Sequence, residues 1–218
     1  GFIDIPELEK TDAINALDWC IVEQTCRTLS ELDEYAVPTS VNFSRWHIRE
    51  KDFANRLKDT LDRYHVPHSM FEVEITESAL VFEEQNIQSW IQEIRDFRIR
   101  VAIDDFGSGL SSLHFVKDMP IDVLKIDKSL LSGNCESEKE RIVLESIFYF
   151  ANRLHLDTIA EGVETEEQLG FLKTVDCKRI QGFLFARPMP ADAFIDLCRV
   201  EGGAQTEKTD ILELQTPA

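Results

Sequence analysis

Basic charge is what this chain is short of. It has 23 lysines and arginines against 41 aspartates and glutamates, a formal net charge of −18. Polymeric nucleic acid needs clustered Lys and Arg on its phosphates, so this balance argues against it as a partner. A small anionic ligand is still compatible, provided metal ions bridge the charges. Cysteine pairing is also missing. Cys20, Cys26, Cys135, Cys177 and Cys198 make an odd count, with no CxxC among them. That points to a reduced, cytoplasmic setting and argues against a disulfide framework or a zinc site. No apolar run nears the roughly 18 residues of a membrane span. No secretory leader is read at the start, so no membrane contact is expected from this segment. What remains is an ordinary globular mix, 43% hydrophobic and 29% charged over 218 residues, enough for one large domain.

Within that mix one stretch organises the rest. Val101-Ala102-Ile103 runs straight into Asp104-Asp105, followed by Phe106-Gly107-Ser108-Gly109. It reads as a buried strand ending in a charged, flexible loop. Two adjacent acids repel each other, and burying them needs a counter-charge. A divalent metal supplies one, although Asp and Gly are also common in plain surface turns. On a straight strand Asp104 and Asp105 point to opposite faces. Both serve one site only where strand gives way to loop, which Gly107 and Gly109 permit.

Along the chain, Gly1 to Pro6 reads as an extended entry and Ile14 to about Leu32 as a helix. Strands are expected at Ser40–Ser44, Phe71–Thr76, Arg100–Asp105, Val123–Asp127, Thr158–Val163 and Arg179–Phe185. Helical patterns separate them at Asp52–Tyr64, Ile87–Phe97, Ser111–Val116 and from Ser137 to about Leu154. Further helices follow Thr165 and run from Pro190 to Val200. Ser137-x-x-Glu140 and Thr165-x-x-Gln168 have the form of capping boxes. The stretch from Gly202 to Ala218 is polar and shows no periodicity. Six strands alternating with helices signify βαβ units and a parallel sheet. That sheet is either doubly wound or a (β/α)8 barrel lacking two strands.

Asn42, Glu74, Asp104, Lys125, Glu161 and Gln181 each lie within or at the end of a different one of these strands, 20 to 36 residues apart. Strands covered by helices read as continuously apolar, so one polar residue per strand is not what packing asks for. In barrels the C-terminal strand ends form the active site, and these six residues would converge there. Carboxylates and an amide oxygen are hard ligands suited to Mg2+ or Mn2+. A lysine among them neutralises charge or activates water. A metal pair about 3.5–4 Å apart needs a bridging carboxylate and is the usual arrangement for phosphodiester hydrolysis. Singly, Asn42 also suits a turn, Lys125 a snorkelling lysine and Gln181 a strand-edge amide.

Glu74-Ile75-Thr76-Glu77-Ser78 resembles a signature of EAL domains, the bacterial cyclic-di-GMP phosphodiesterases. Asp104-Asp105-Phe106-Gly107-Ser108-Gly109 with Ser111-Ser112-Leu113 resembles their central loop. Leu124-Lys125-Ile126-Asp127, Ala160-Glu161-Gly162-Val163-Glu164-Thr165, Gln181-Gly182-Phe183-Leu184-Phe185 and Val41-Asn42-Phe43-Ser44 resemble four further motifs, in the family's order. The resemblance covers roughly residues 5–195. It implies a TIM-like (β/α)8 barrel, a homodimer, and opening of cyclic-di-GMP to linear pGpG with two Mg2+ or Mn2+ ions. Carried over by motif, Asn42, Glu74 and Asp104 ligate one metal, and Asp104, Asp105 and Glu161 the other. Lys125 positions the attacking water and Glu164 holds Lys125. Gln181 orients water or substrate, and Glu77 anchors the central loop.

The chain departs from the family pattern in two places. The Glu-Ala-Leu motif that names the family is absent. It belongs on a strand before Phe2–Thr11, and that strand carries a further metal ligand. The expectation is an N-terminally incomplete EAL-type domain over residues 1–200, a polar tail over 201–218, and a sensory or GGDEF domain upstream in a longer chain. Leu110 stands where the family has a tyrosine. A catalytically inactive EAL-type module, sensing cyclic-di-GMP or binding a protein, is the alternative function. A magnesium-dependent lyase or racemase barrel is another, though Asp104-Asp105 and Asn42 suit it less well.

Overall fold

The computed structural model of the chain describes residues 13–82, 86–108, 113–135 and 137–202. Helix α1 (Ala13–Leu32) leads into β1 (Thr39–Asn42), α2 (Phe53–Arg63), β2 (Phe71–Thr76), α3 (Glu77–Phe82), α4 (Ile87–Asp96) and β3 (Arg100–Phe106). Then come α5 (Leu113–Val116), β4 (Val123–Ile126), α6 (Glu138–Arg153), β5 (Asp157–Ala160), α7 (Glu166–Thr174), β6 (Arg179–Ile180) and α8 (Ala191–Gly202). The strands form one parallel sheet in sequence order, β1 through β6. The βα alternation read from the sequence therefore holds, with six of the eight strands of a TIM-like barrel among the described residues.

The sheet is curled. Arg179 Nη2 on β6 lies 3.3 Å from Glu72 Oε2 on β2. Three strands stand between those two, which in a flat sheet would separate them by about 19 Å. Curvature also sorts the side chains. Outward-facing Val73, Ile75, Val101, Ile103, Leu124 and Ile126 join the main core beneath the helices. The inward face is layered. Glu72, Arg100, Asp157 and Arg179 meet at the N-terminal end, where Arg100 pairs with both Glu72 and Asp157. A small apolar cluster of Ala102, Val123 and Ile159 comes next. Glu74, Asp104, Lys125 and Glu161 lie above it at the C-terminal end.

Several elements differ from the sequence reading. Helix α3 begins directly after β2, where no helix is read from the sequence. Strand β6 is only two residues long rather than reaching Phe185. Helix α8 continues to Gly202, past Val200. The Thr165 box closes, with Gln168 N–H donating to Thr165 Oγ1 and Thr165 N–H donating to Gln168 Oε1. The Ser137 box does not, because Ser137 sits at the N-cap with extended backbone but makes no side-chain cap bond. Gly1–Pro6, the segment Gly109–Ser112 with Leu110, and the tail after Gly202 lie outside the described residues.

Candidate metal centre

Alternation along each strand puts Glu74 on β2, Asp104 on β3 and Lys125 on β4 on the same inner face. Glu161 follows the end of β5, its N–H donating to Ile126 O at 3.0 Å. Lys125 Nζ is the hub. It lies 2.7 Å from Glu74 Oε1, 2.8 Å from Glu161 Oε1 and 3.2 Å from Asp104 Oδ1, and is only 1% exposed. A buried cation shared among three carboxylates offsets desolvation costs that no member could bear alone. Asn42 ends β1 in register with Glu74, and the next residue, Phe43, donates its N–H to Glu74 O at 2.9 Å.

Asp105 reaches the cluster by a different route from the one read in the sequence. Strand β3 does not stop at Asp105 but continues through Phe106, with a register irregularity against β4 between Ile103 and Phe106. Within it Asp105 takes a left-handed φ of +56°. Such a bulge re-aims a side chain without ending the strand. One carboxylate oxygen from each of Asp104, Asp105 and Glu161 then lies within 4.8 Å of the others. Burial, followed by the charges of Asp104 and Asp127, pushes the Asp105 carboxyl above the ordinary value.

That shift has a definite sign. An acid whose pKa is raised by folding contributes most to stability at low pH, and the contribution falls as pH rises through its folded pKa. In chelator at neutral pH, Asp105→Asn is therefore expected to raise the urea midpoint, because Asn tolerates left-handed φ and brings no charge. Added Mn2+ should raise the midpoint of the parent chain more than that of the variant. Denaturant melts of both, with EDTA and with Mn2+, check this.

The remaining motif residues lie on the segments that follow β2, β5 and β6. Glu77, the first residue of α3 and 2% exposed, accepts the Gly107 N–H on Oε2 at 2.8 Å. Gly107 has φ +99°, and a Cβ there would lie 2.2 Å from Leu130 Cδ1. Gln181 follows β6, its N–H donating to Ala160 O at 2.9 Å and its carbonyl accepting from Val163 N at 3.0 Å. The next residue must be glycine, since a Cβ on Gly182 would stand 2.1 Å from Val163 O and 2.3 Å from Val163 N. Gly182→Ala is expected to cost about 1–3 kcal/mol by urea titration, because backbone rather than a flexible side chain must yield. Glu164 is exposed, with its N–H donating to Gln168 Oε1, whereas the ion pairs of Lys125 described above run to Glu74, Asp104 and Glu161.

The sequence reading missed the charged layer of Glu72, Arg100, Asp157 and Arg179. Its signal was present, as Glu72 stands two residues before Glu74 and Arg179 two before Gln181, the strand period. Burial pushes Cys26 up to about 12 and Cys177 up to about 11, leaving both protonated at neutral pH.

An inward ring of carboxylates and one lysine at the C-terminal strand ends defines a βα-barrel protein with a donor set suited to hard divalent cations. The chain belongs to the EAL domain family, whose model matches residues 4–188. It is 35% identical over 192 residues to the oxygen sensor protein DosP of Escherichia coli, covering 86% of this chain and 24% of that protein. It is 30% identical over 194 residues to the cyclic di-GMP phosphodiesterase NbdA of Pseudomonas aeruginosa, covering 88% of this chain and 25% of that one. The chain thus spans about a quarter of the length of these curated relatives. Among solved structures, the PaMucR phosphodiesterase in its c-di-GMP complex superposes with a TM-score of 0.81 at 28% identity, over 88% of this chain and 78% of that one.

Proposed function

We propose that this chain hydrolyses cyclic-di-GMP to linear pGpG at the C-terminal mouth of the barrel. The observation that carries the reading is Lys125 Nζ held within 2.7–3.2 Å of Glu74, Asp104 and Glu161, on the scaffold shared with NbdA and PaMucR. The donor set suits two Mg2+ or Mn2+ ions. Asn42, Glu74 and Asp104 would hold one, and Asp104, Asp105 and Glu161 the other. Bound there, such ions lower the pKa of water and offset charge on phosphoryl oxygens.

The chain's own residues do the placing. Lys125 positions the attacking water through Nζ; the water oxygen would bond to phosphorus as the ring P–O bond breaks, and the departing ester oxygen would take up a proton, leaving a linear dinucleotide with a terminal phosphate. Gln181 orients water or substrate from the end of β6. Glu77 steadies the segment Asp105–Gly107 through the Gly107 N–H. The hold of Glu164 on Lys125 rests on the motif. The same reading includes pairing with a second copy, which the exposed Ile142, Val143 and Tyr149 on α6 favour. It also includes work in the cytoplasm beside a sensory or GGDEF domain. Among the described residues, no helix is long and apolar enough to cross a membrane.

The test is a chromatographic product assay with cyclic-di-GMP and Mn2+, on this chain and on the longer polypeptide that contains it. Formation of pGpG is expected. Binding of cyclic-di-GMP without cleavage by either would replace the enzyme with a sensor module.

A further inference from the structure

We propose that His47 and Asp18 are positioning residues that set the end of β1, and with it Asn42, for metal binding. The proposal rests on the two-ion reading above. His47 is wholly buried. Its Nε2 lies 3.1 Å from Asp18 Oδ2 on α1 and its Nδ1 lies 2.8 Å from Glu50 Oε2. Trp19, Phe43 and Phe53 wall the ring, with centroids 5.9, 5.4 and 5.1 Å away. Packing alone would fill such an aromatic pocket with an apolar side chain, since burying a polar ring against two acids is costly unless each contact is satisfied.

The use of that arrangement lies in the second bond Asp18 makes. The oxygen that meets His47 also accepts the Ser44 N–H at 3.0 Å. Ser44 is two residues beyond Asn42, on the backbone leaving the strand. Among the described residues β1 is an edge strand, paired on one side only, with β2. Just past its C-terminal end, the backbone is tied to α1 through Asp18. His47 holds that carboxylate in place and is itself braced by Glu50, which accepts Arg56 Nη1 at 3.3 Å. The Arg56 guanidinium lies 3.9 Å over the Trp19 ring and closes the circuit back to α1. Groups behind a ligand that fix its placement commonly contribute 10- to 100-fold to metal affinity.

The test uses the longest polypeptide containing this chain and measures Mn2+ affinity calorimetrically without substrate, alongside kcat at saturating Mn2+. Two variants are made, because His47→Ala empties a buried site and risks unfolding. The other, Ser44→Pro, removes the N–H at a φ of −67° that proline adopts, together with the side-chain hydroxyl, whose loss alone is read from a Ser44→Ala control expected to keep the parent Mn2+ affinity. Each of the two variants is expected to weaken Mn2+ binding on the order of tenfold, with kcat at saturating Mn2+ little changed. In an Asn42→Ala background, neither should weaken it further. Unchanged Mn2+ affinity in Ser44→Pro, or losses that add to that of Asn42→Ala, would overturn the clasp while leaving the two-ion reading intact. If Asn42→Ala itself leaves Mn2+ affinity unchanged, the ligand role of Asn42 fails and the clasp fails with it.

Discussion

Asp104→Ala is expected to abolish turnover of cyclic-di-GMP and Mn2+-induced stabilisation together. Asp104 belongs to both proposed ligand sets, and its carboxylate lies beside those of Asp105 and Glu161. Losing a carboxylate common to both sets would remove several kcal/mol of charge stabilisation in the transition state, about a thousandfold or more in kcat. The fold should survive, because Lys125 keeps Glu74 and Glu161 as partners at 2.7 and 2.8 Å. Product chromatography and a thermal-shift titration with Mn2+ measure both effects. Retention of half the parent activity would rule out a bridging role and, with it, the two-ion centre.

Lys125→Ala should also abolish turnover, but by separating two properties that Asp104→Ala removes together. Lys125 acts on water in the proposed reaction, so metal binding is expected to persist. The stability effect is large and conditional. In chelator, the variant leaves Glu74, Asp104 and Glu161 at the barrel mouth without the cation that now pairs them. Removing one partner from a buried ion cluster destabilises by about 3–5 kcal/mol. A divalent cation restores positive charge to the same acids, so Mn2+ should recover most of that loss in a urea titration. A variant that is unstable in EDTA, stable in Mn2+ and inactive in both fits the assignment. Substantial turnover by Lys125→Ala would remove the lysine from the reaction. Failure of Mn2+ to stabilise it would place the ions elsewhere.

The two substitutions probe features of unequal legibility in the sequence. One polar residue in each apolar strand pattern marked Asn42, Glu74, Asp104, Lys125, Glu161 and Gln181, and strand period fixed which face each would occupy. The same period held Glu72, Arg100, Asp157 and Arg179, which went unread because charged residues at strand starts also suit a solvent-facing turn. Only a contact between β2 and β6 shows that they gather on one inner face. Helix α3 escaped because Glu77–Phe82 follows β2 without a turn signal. The Ser137 box shows the opposite error, a correct spacing in which the side-chain bond does not form.

The chain's local chemistry determined the alternation of strand and helix, the parallel pairing it forces, and the residue types gathered at one end of the sheet. These depend on periodicity and side-chain identity, which are properties of short segments. The tertiary structure decided the rest. Curvature of the sheet brings Arg179 to Glu72 across three strands. A left-handed residue inside β3 swings Asp105 onto the side of Asp104. Burial makes Lys125 the counter-charge for acids on separate strands. Each joins groups 20 or more residues apart or turns on one backbone angle, and such distances and angles are settled only when the whole sheet curls around its layers.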